Sequence, residues 1–169
     1  MPAPTPPGPG YRALRRGRIS LPGHCYFVTT VCHQRRRIFA SWPVASAFCR
    51  KFHEAEMWKD SLLLCWVLMP DHLHFMVDLG ESEDLPSLMR RMKSVTSRTV
   101  KAEAGAVEGP VWMRGYHERL MRDGLNREAA ARYIIANPVR AGLVKSCREY
   151  PYWDAIWMDL SRLAPLPQG

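Results

Sequence analysis

The 169-residue chain is predicted to be an α+β protein with a ferredoxin-like, or split βαβ, core. Two observations predict it. Segments rich in β-branched and aromatic residues alternate with segments whose apolar residues recur at helical spacing, in the order β-α-β-β-α-β. Hydrophobic residues make up 47% of the chain and charged residues 24%, which is enough apolar material to bury one core. An added helix after the fourth strand carries Tyr133.

The first half of the chain predicts a strand, a helix and a hairpin. Cys25–Val31 is rich in β-branched and aromatic residues, which favours a strand. Apolar residues recur at helical spacing over residues 44–58. The uninterrupted apolar run Leu62–Met69 is typical of a strand buried on both faces. Pro70-Asp71 is expected to turn the chain into a strand over residues 72–79.

The second half predicts a helix, a strand and a further helix. Residues 83–86 place two acidic residues before a leucine and a proline, which is typical of a helix start. A fourth strand is expected over residues 112–122. Asn126 is expected to cap a helix over residues 127–136. Pro138 is expected to end that helix, because the residue before a proline is disfavoured in the helical conformation.

Composition divides the chain into three segments. Residues 1–18 are predicted to be a disordered basic arm, since five of the first ten residues are proline and no acidic residue is present. Residues 19–144 are predicted to form the folded domain. Residues 145–169 are predicted to be a C-terminal tail that packs against the sheet or covers part of its functional face.

The charge of the chain favours a polyanionic partner. The net charge is +8 and the pI is near 9.6, which favours nucleic acid first and a membrane surface second. The longest apolar run has eight residues, fewer than the roughly 18 that a membrane helix needs. The five cysteines are scattered and form no CxxC pair, so we expect a reduced, cytoplasmic protein without a secretory signal peptide.

His72 and His74 form the first candidate site. Residues two apart on a strand point to the same face, so both imidazoles are expected on one face and Leu73 on the other. Two neutral imidazoles side by side can chelate a divalent ion. From the residues alone, the alternative is a pair of half-exposed histidines on a sheet face.

Tyr133 and Asn137 form the second candidate site. Residues i and i+4 share one face of a helix, which pairs a tyrosine hydroxyl with an amide oxygen suited to Mg²⁺ or Mn²⁺. The alternative is a tyrosine that packs at the core rim and an asparagine that ends a helix. If this helix packs on the sheet beside His72 and His74, three ligands with open positions give a catalytic arrangement.

Two sequence motifs resemble a known family. MPDHLH at residues 69–74, followed by YIIANPVRAGLV at residues 133–144, resembles the REP-associated tyrosine transposases of the single-tyrosine HUH nuclease superfamily. The resemblance spans residues 19–157. It implies that His72 and His74 hold Mg²⁺ or Mn²⁺ with Asn137 as third ligand, although related insertion-sequence transposases commonly have glutamine there.

The resemblance also implies a reaction and a substrate. Tyr133 would attack a phosphate of single-stranded DNA, forming a 5′-phosphotyrosine and freeing a 3′-OH. The substrate would be a palindromic repeat hairpin, bound by a monomer or a homodimer. Glu118 could orient a histidine, whereas Asp71 is expected to be a turn residue that points away from His72. The candidate DNA contacts are Arg12, Arg15, Arg16, Arg18, Arg35, Arg36, Arg37, Arg90, Arg91, Lys93 and Arg114; Tyr26 and Trp112 could stack on bases or pack in the core.

Two other functions compete with the transposase interpretation. One is an RRM-like module that binds structured DNA or RNA without cutting it. The other is a metal-dependent hydrolase that uses an activated water. The combination of Tyr133 with His72 and His74 favours the tyrosine enzyme, because a module that only binds has no need of all three.

Overall fold

The structure, a computed structural model, describes residues 20–104, 107–121 and 124–156, and it confirms the predicted α+β class. The strands are β1 (Cys25–Val31), β2 (Leu62–Met69), β3 (His72–Asp78), β4 (His117–Met121) and β5 (Trp153–Ala155). The helices are α1 (Trp42–Phe52), α2 (Ala55–Trp58), α3 (Leu85–Ala104), α4 (Gly124–Ile135) and α5 (Asn137–Arg140). Within the described ranges, no helix combines the length and apolarity needed to cross a membrane.

The five strands form one antiparallel sheet in the order β4-β1-β3-β2-β5. In the register of β1 with β3, Thr29 lies opposite His74 and Val31 lies opposite His72. Val28 and Leu73 point to the other face of the sheet, where they join the larger apolar cluster. The predicted alternation along β3 therefore places both histidines on one face of the sheet.

The larger apolar cluster lies under α1 and α3 and is rich in aromatic rings. Phe52 at the end of α1 is fully buried. Its ring lies 4.9 Å from Trp58, 5.5 Å from Trp66 and 5.9 Å from Phe75, all edge-on. Such edge-to-face pairs add to the apolar area that each ring buries. This cluster supports the sheet from the side opposite the histidines.

The smaller apolar cluster fixes α4 on the histidine face. Ala131, Ile134 and Ile135 recur at i, i+3 and i+4 and are buried in one cluster with Met69 and Met76. The helical positions between these three residues do not take part in this apolar contact with the sheet. This spacing therefore determines which residues of α4 face solvent.

The helix predicted over residues 44–58 is two helices. α1 ends at Phe52, and Glu54 adopts an extended conformation before the single turn of α2. The Trp58 indole then folds back, and its Nε1 donates to the Phe52 carbonyl at 2.8 Å. Burial of the Trp58 ring in the core outweighs the helical spacing that continues through this segment.

The start of α4 and the fourth strand also differ from the prediction. α4 begins at Gly124, so Asn126 lies inside the helix and is not its cap. β4 begins at His117, whereas Trp112 forms only an isolated bridge with Cys32. Burial of the Trp112 side chain in the core separates it from the strand that follows.

The tail contributes a fifth strand that the sequence did not predict. Trp153–Ala155 pairs with β2 and covers the outer edge of the sheet. Tyr150 supports this pairing, because its hydroxyl donates to the Leu68 carbonyl at 2.7 Å. Of the predicted segments, the arm over residues 1–18 lies outside the described residues.

Candidate active site

The two histidines of β3 are adjacent on the face that α4 covers. The ring centroids of His72 and His74 are 4.7 Å apart and their planes differ by 78°. Phe27 on β1 lies edge-on to His74 at 5.6 Å. The pair is therefore held against the sheet, as the alternation along the strand predicts.

Each imidazole has its Nδ1 atom engaged by a neighbour. His74 Nδ1 hydrogen-bonds Thr29 Oγ1 at 2.7 Å, and His72 Nδ1 hydrogen-bonds Asp71 Oδ1 at 2.6 Å. A carboxylate only accepts when ionised, so His72 Nδ1 carries a proton, and in the neutral ring Nε2 is the nitrogen that keeps its lone pair. Partners of this kind fix the tautomer and orientation of metal-binding histidines.

Asp71 corrects one expectation from the sequence. Its side chain turns back to His72 and does not point away, because the two-residue turn between β2 and β3 lies outside the strand alternation. Burial raises the pKa of the Asp71 carboxyl, but the hydrogen bond and charge of His72 and the charge of Arg35 outweigh it and lower the pKa overall. Asp71 is therefore held as an acceptor for His72.

The turn after β1 supports Asp71. Gln34 and Arg35 have φ values of 55° and 52°, in the left-handed region that non-glycine residues rarely adopt. This conformation brings Arg35 Nη1 to 3.4 Å from Asp71 Oδ2, and Cys32 N donates to the Asp71 carbonyl at 2.8 Å. Side-chain contacts thus connect Arg35 to Asp71 and Asp71 to His72.

The His74 imidazole is uncharged near neutral pH. Burial is the largest cause that lowers its pKa, followed by the positive charges of His72 and Arg140, while Asp71 opposes them. Together they lower the pKa of His74 from 6.5 to about 3. A neutral imidazole is the form that binds a metal ion.

Asn137 is buried at the junction of α4 and α5, and Pro138 sets its orientation. Proline has no N–H, so the Ile134 carbonyl loses the helical donor it would otherwise receive. Asn137 Nδ2 donates to that carbonyl at 3.3 Å. This fixes the amide so that Oδ1 points away from the helix backbone. Pro138 breaks the helix as predicted, but a short turn, α5, follows it.

Tyr133 lies one turn before Asn137 and is 53% exposed. Its ring is covered by the guanidinium of Arg140, whose Cζ lies 3.7 Å from the ring centroid. Arg140 Nη1 also donates to the Tyr133 carbonyl at 3.2 Å, and Nη2 lies 3.5 Å from Asn137 Oδ1. One arginine therefore contacts both predicted residues of this helix.

Arg140 is the residue of this site that the sequence analysis missed. Its charge also lowers the pKa of His74, which links the Tyr133 side of the site to the histidine side. Arg140 lies inside the YIIANPVRAGLV motif, at i+7 from Tyr133 and i+3 from Asn137, and this position is a signal that could have identified it.

The donors present suit a divalent cation. Among the residues with described positions, no group of three or more His, Cys, Asp or Glu side chains is placed to hold a metal ion. A third protein ligand beside His72 and His74 would therefore be of another type. The Asn137 amide oxygen has the right chemistry, because carbonyl oxygens suit Mg²⁺ or Mn²⁺.

Glu118 lies on the wrong face to orient either histidine. It pairs with Val28 in the register of β4 with β1, whereas His117 pairs with Thr29 on the histidine face. The register between strands could not be read from the sequence. Tyr26 and Trp112 are buried in the larger cluster, so neither is available to stack on a base.

Three of the predicted DNA contacts are engaged within the protein. Arg36 donates to the carbonyls of Glu108 and Pro110. Arg91 pairs with buried Glu83 and donates to the Met57 carbonyl. Lys93 Nζ donates to the carbonyls of Met113 and Gly115 at 2.8 and 2.7 Å, and burial lowers its pKa to about 8. All three cations therefore have partners within the protein.

The remaining basic candidates differ in their surroundings. Arg37, Arg90 and Arg114 are exposed. Arg114 lines a groove with Lys101 on α3. Arg35 is exposed but contacts Asp71, as described above. Arg12, Arg15, Arg16 and Arg18 lie outside the described residues.

Comparison with known proteins agrees with the arrangement of these motifs. Residues 21–137 match the family described as Transposase IS200 like. A curated relative from Haemophilus influenzae, described as a REP-associated tyrosine transposase, is 24% identical over 140 residues. The match covers 77% of this chain and 78% of that relative.

Two solved structures share the fold. A REP-associated tyrosine transposase bound to a REP hairpin superposes with a TM-score of 0.61 at 21% identity, over 80% of this chain and 79% of that one. A transposase from Deinococcus radiodurans superposes with a TM-score of 0.53 at 15% identity, over 71% of this chain and 95% of that one. Because the family match spans well over half of the sequence, including both histidines, Tyr133 and Asn137, the chain belongs to the IS200-like transposase family.

Proposed function

We propose that this transposase is a metal-dependent single-strand DNA endonuclease and strand transferase that works through a 5′-phosphotyrosine. The observation that carries the proposal is the position of Tyr133. It is exposed on the helix that packs over the face bearing His72 and His74, and a guanidinium lies on its ring. A nucleophile of this kind must reach a substrate from solvent while cationic groups stand nearby.

The proposed substrate is a REP-type hairpin with a single-stranded tail. The solved relative bound to a REP hairpin supports this choice, as does the net charge of +8. A single-stranded tail exposes its phosphates and base edges to the site. We expect the exposed arginines Arg37, Arg90 and Arg114 to contribute backbone contacts.

The proposed reaction conserves the phosphodiester. Tyr133 Oη attacks the phosphorus and loses its proton to solvent, the bond to the 3′ oxygen breaks, and the released 3′ oxygen takes up a proton. The product is a 5′-phosphotyrosine and a free 3′-OH. A 3′-OH can attack the phosphotyrosine in reverse, so rejoining needs no nucleotide cofactor.

The proposed metal ligands are His72, His74 and Asn137. When bound, Mg²⁺ or Mn²⁺ would polarise the phosphoryl oxygens and offset the charge that builds on them. His74 is suited to this role because it stays neutral, and His72 because Asp71 accepts from its Nδ1. A phenol is mostly protonated at neutral pH, so positive charge near the attacking oxygen assists the reaction.

The covalent intermediate can be trapped directly. A 3′-labelled hairpin with a 5′ tail, taken from the palindromic repeats of the same genome, is incubated with the protein and Mg²⁺ or Mn²⁺ and then denatured. We expect a labelled protein band that survives SDS. It should be absent in Tyr133→Phe and in His72→Ala, and Tyr133→Phe should retain its affinity for the hairpin.

The control variant is Tyr152→Phe, which removes another tyrosine hydroxyl and should leave the labelled band intact. A band that persists in Tyr133→Phe would contradict the assignment of the nucleophile. Cleavage without any labelled band would indicate hydrolysis by water. Hairpin binding without cleavage, with both metals and several repeats, would indicate the non-cleaving binding module.

Asp71 is expected to set the metal affinity through His72. In Asp71→Asn the neutral side chain no longer offers two charged acceptor oxygens to His72 Nδ1, so Mn²⁺ affinity should fall about 10- to 100-fold. Mn²⁺ binding is measured by electron paramagnetic resonance without DNA. Asp154→Asn is the matched control, because Asp154 also lies beside a histidine, His53 at 3.6 Å, but on the sheet edge. Equal affinities in the two variants would rule out this role.

His74 is expected to make the metal-free protein sensitive to acid. Burial and the charges of His72 and Arg140 lower its pKa from 6.5 to about 3, so between these values the unfolded chain binds a proton that the folded chain does not. The free energy of unfolding therefore decreases as the pH falls through this window, by at most about 1.4 kcal/mol per pH unit.

Urea unfolding with a chelator present measures this effect. Between pH 7 and pH 5, the wild type should lose about 1 to 2 kcal/mol more than His74→Gln. The comparison cancels the other titrating groups, which both proteins share. Equal losses would show that His74 is not held neutral by its surroundings.

A further inference from the structure

Arg140 differs from its neighbouring arginines in the partners it has. Arg127 and Arg132, the other arginines of the segment formed by α4 and α5, each pair with a carboxylate. Among the ion pairs of the described residues, Arg140 takes part in none. Its contacts are an aromatic ring, a backbone carbonyl and an amide oxygen at 3.5 Å.

We propose that Arg140 binds the phosphate that Tyr133 attacks. This inference rests on the proposed function and adds a catalytic residue to it. The Arg140 guanidinium is exposed and lies on the Tyr133 ring, so an anion that contacts its outer edge is brought beside the phenol. The planar guanidinium fork matches two oxygens of one phosphate, which fixes the phosphate as well as attracting it.

The present partners of Arg140 are weak enough to exchange for a phosphate. Its contact with Asn137 Oδ1 is at the outer limit of a hydrogen bond, and a neutral amide is a poorer acceptor than an anion. The bond to the Tyr133 carbonyl and the ring contact leave the outer edge of the guanidinium free to bind. Binding a phosphate therefore requires little rearrangement of the main chain.

The same position of Arg140 opposes a cation at the histidines. Its guanidinium is positively charged, and its Nη2 engages the Asn137 oxygen that we assign to the metal. A phosphate that draws Arg140 away would neutralise that charge and release the amide oxygen. Phosphate and metal should therefore strengthen each other's binding.

A double-mutant cycle tests the contact between Arg140 and the phosphate. The Tyr133→Phe background prevents cleavage and keeps the ring under the guanidinium. Hairpins carry one uncharged methylphosphonate at each position of the 5′ tail in turn, and wild-type cleavage identifies the scissile position. Binding is measured by fluorescence anisotropy at fixed salt.

We expect the methylphosphonate at the scissile position to weaken binding about tenfold or more, and Arg140→Ala to weaken binding to the unmodified hairpin by a similar factor. With both changes present, the loss should not increase further. Arg140→Lys should recover part of the affinity, because it keeps the charge and loses the fork. If the affinity losses from Arg140→Ala and from the methylphosphonate multiply at every tail position, including the scissile one, the proposal is overturned.

Mn²⁺ binding gives a second test, in which the loss of Arg140 should raise the affinity for the metal, whereas it lowers the affinity for the hairpin. Without DNA, Mn²⁺ affinity measured by electron paramagnetic resonance should rise several-fold in Arg140→Ala and in Arg140→Gln, because a competing cation is removed. Arg132→Ala, exposed on α4 and paired with Glu128, is the matched control and should change neither readout. Unchanged or lower Mn²⁺ affinity in both Arg140 variants would overturn the coupling to the metal.

The two proposals fail in different ways. If the wild type forms no covalent band but one tail phosphate still couples to Arg140, the cleavage function fails and Arg140 remains a phosphate-binding residue. If the band forms and no tail phosphate couples to Arg140, the inference about Arg140 fails alone. Thermal unfolding of each variant checks that its fold is intact, and Arg140→Gln replaces Arg140→Ala if the alanine variant is unstable.

Discussion

The packing of α4 on one face of the sheet is the constraint on which the candidate site depends. Ala131, Ile134 and Ile135 bury one stripe of the helix against Met69 of β2 and Met76 of β3, the strand that carries the histidines. Because the helix is anchored by that stripe, the positions between its members must face outward. The proposed nucleophile and the proposed metal-binding pair, which lie about sixty residues apart in the chain, are thus placed on one side of the molecule.

Local hydrogen bonds then orient the individual side chains of the site. The missing N–H of Pro138 releases the Ile134 carbonyl, which takes the amide nitrogen of Asn137 and turns its oxygen outward. The left-handed turn at Gln34 and Arg35 supports Asp71, which accepts from His72. Strained backbone of this kind persists where the surroundings over-determine it, and it clusters at functional sites.

The features that could be predicted from the sequence are those that depend on a single strand or helix. Alternation along β3 placed both histidines on one face, and the apolar run of β2 gave a buried strand with the observed bounds. The features that depend on two elements could not be predicted. The register of β4 with β1 turns Glu118 away from the histidines. The three residues of β5 are too few to show a strand pattern. The partners of Arg36, Arg91 and Lys93 lie far from them in the sequence. Arg140 was missed because the role proposed for it depends on the ring it covers.

Paramagnetic broadening by Mn²⁺ tests most directly whether Tyr133 and the two histidines form one metal-centred site. Substoichiometric Mn²⁺ is added to protein with isotope-labelled tyrosine and histidine rings. We expect the ring signals of His72, His74 and Tyr133 to broaden first, whereas those of Tyr26, buried under the opposite face, persist. Broadening of the histidines without Tyr133, or of Tyr26 as strongly as Tyr133, would contradict a shared site.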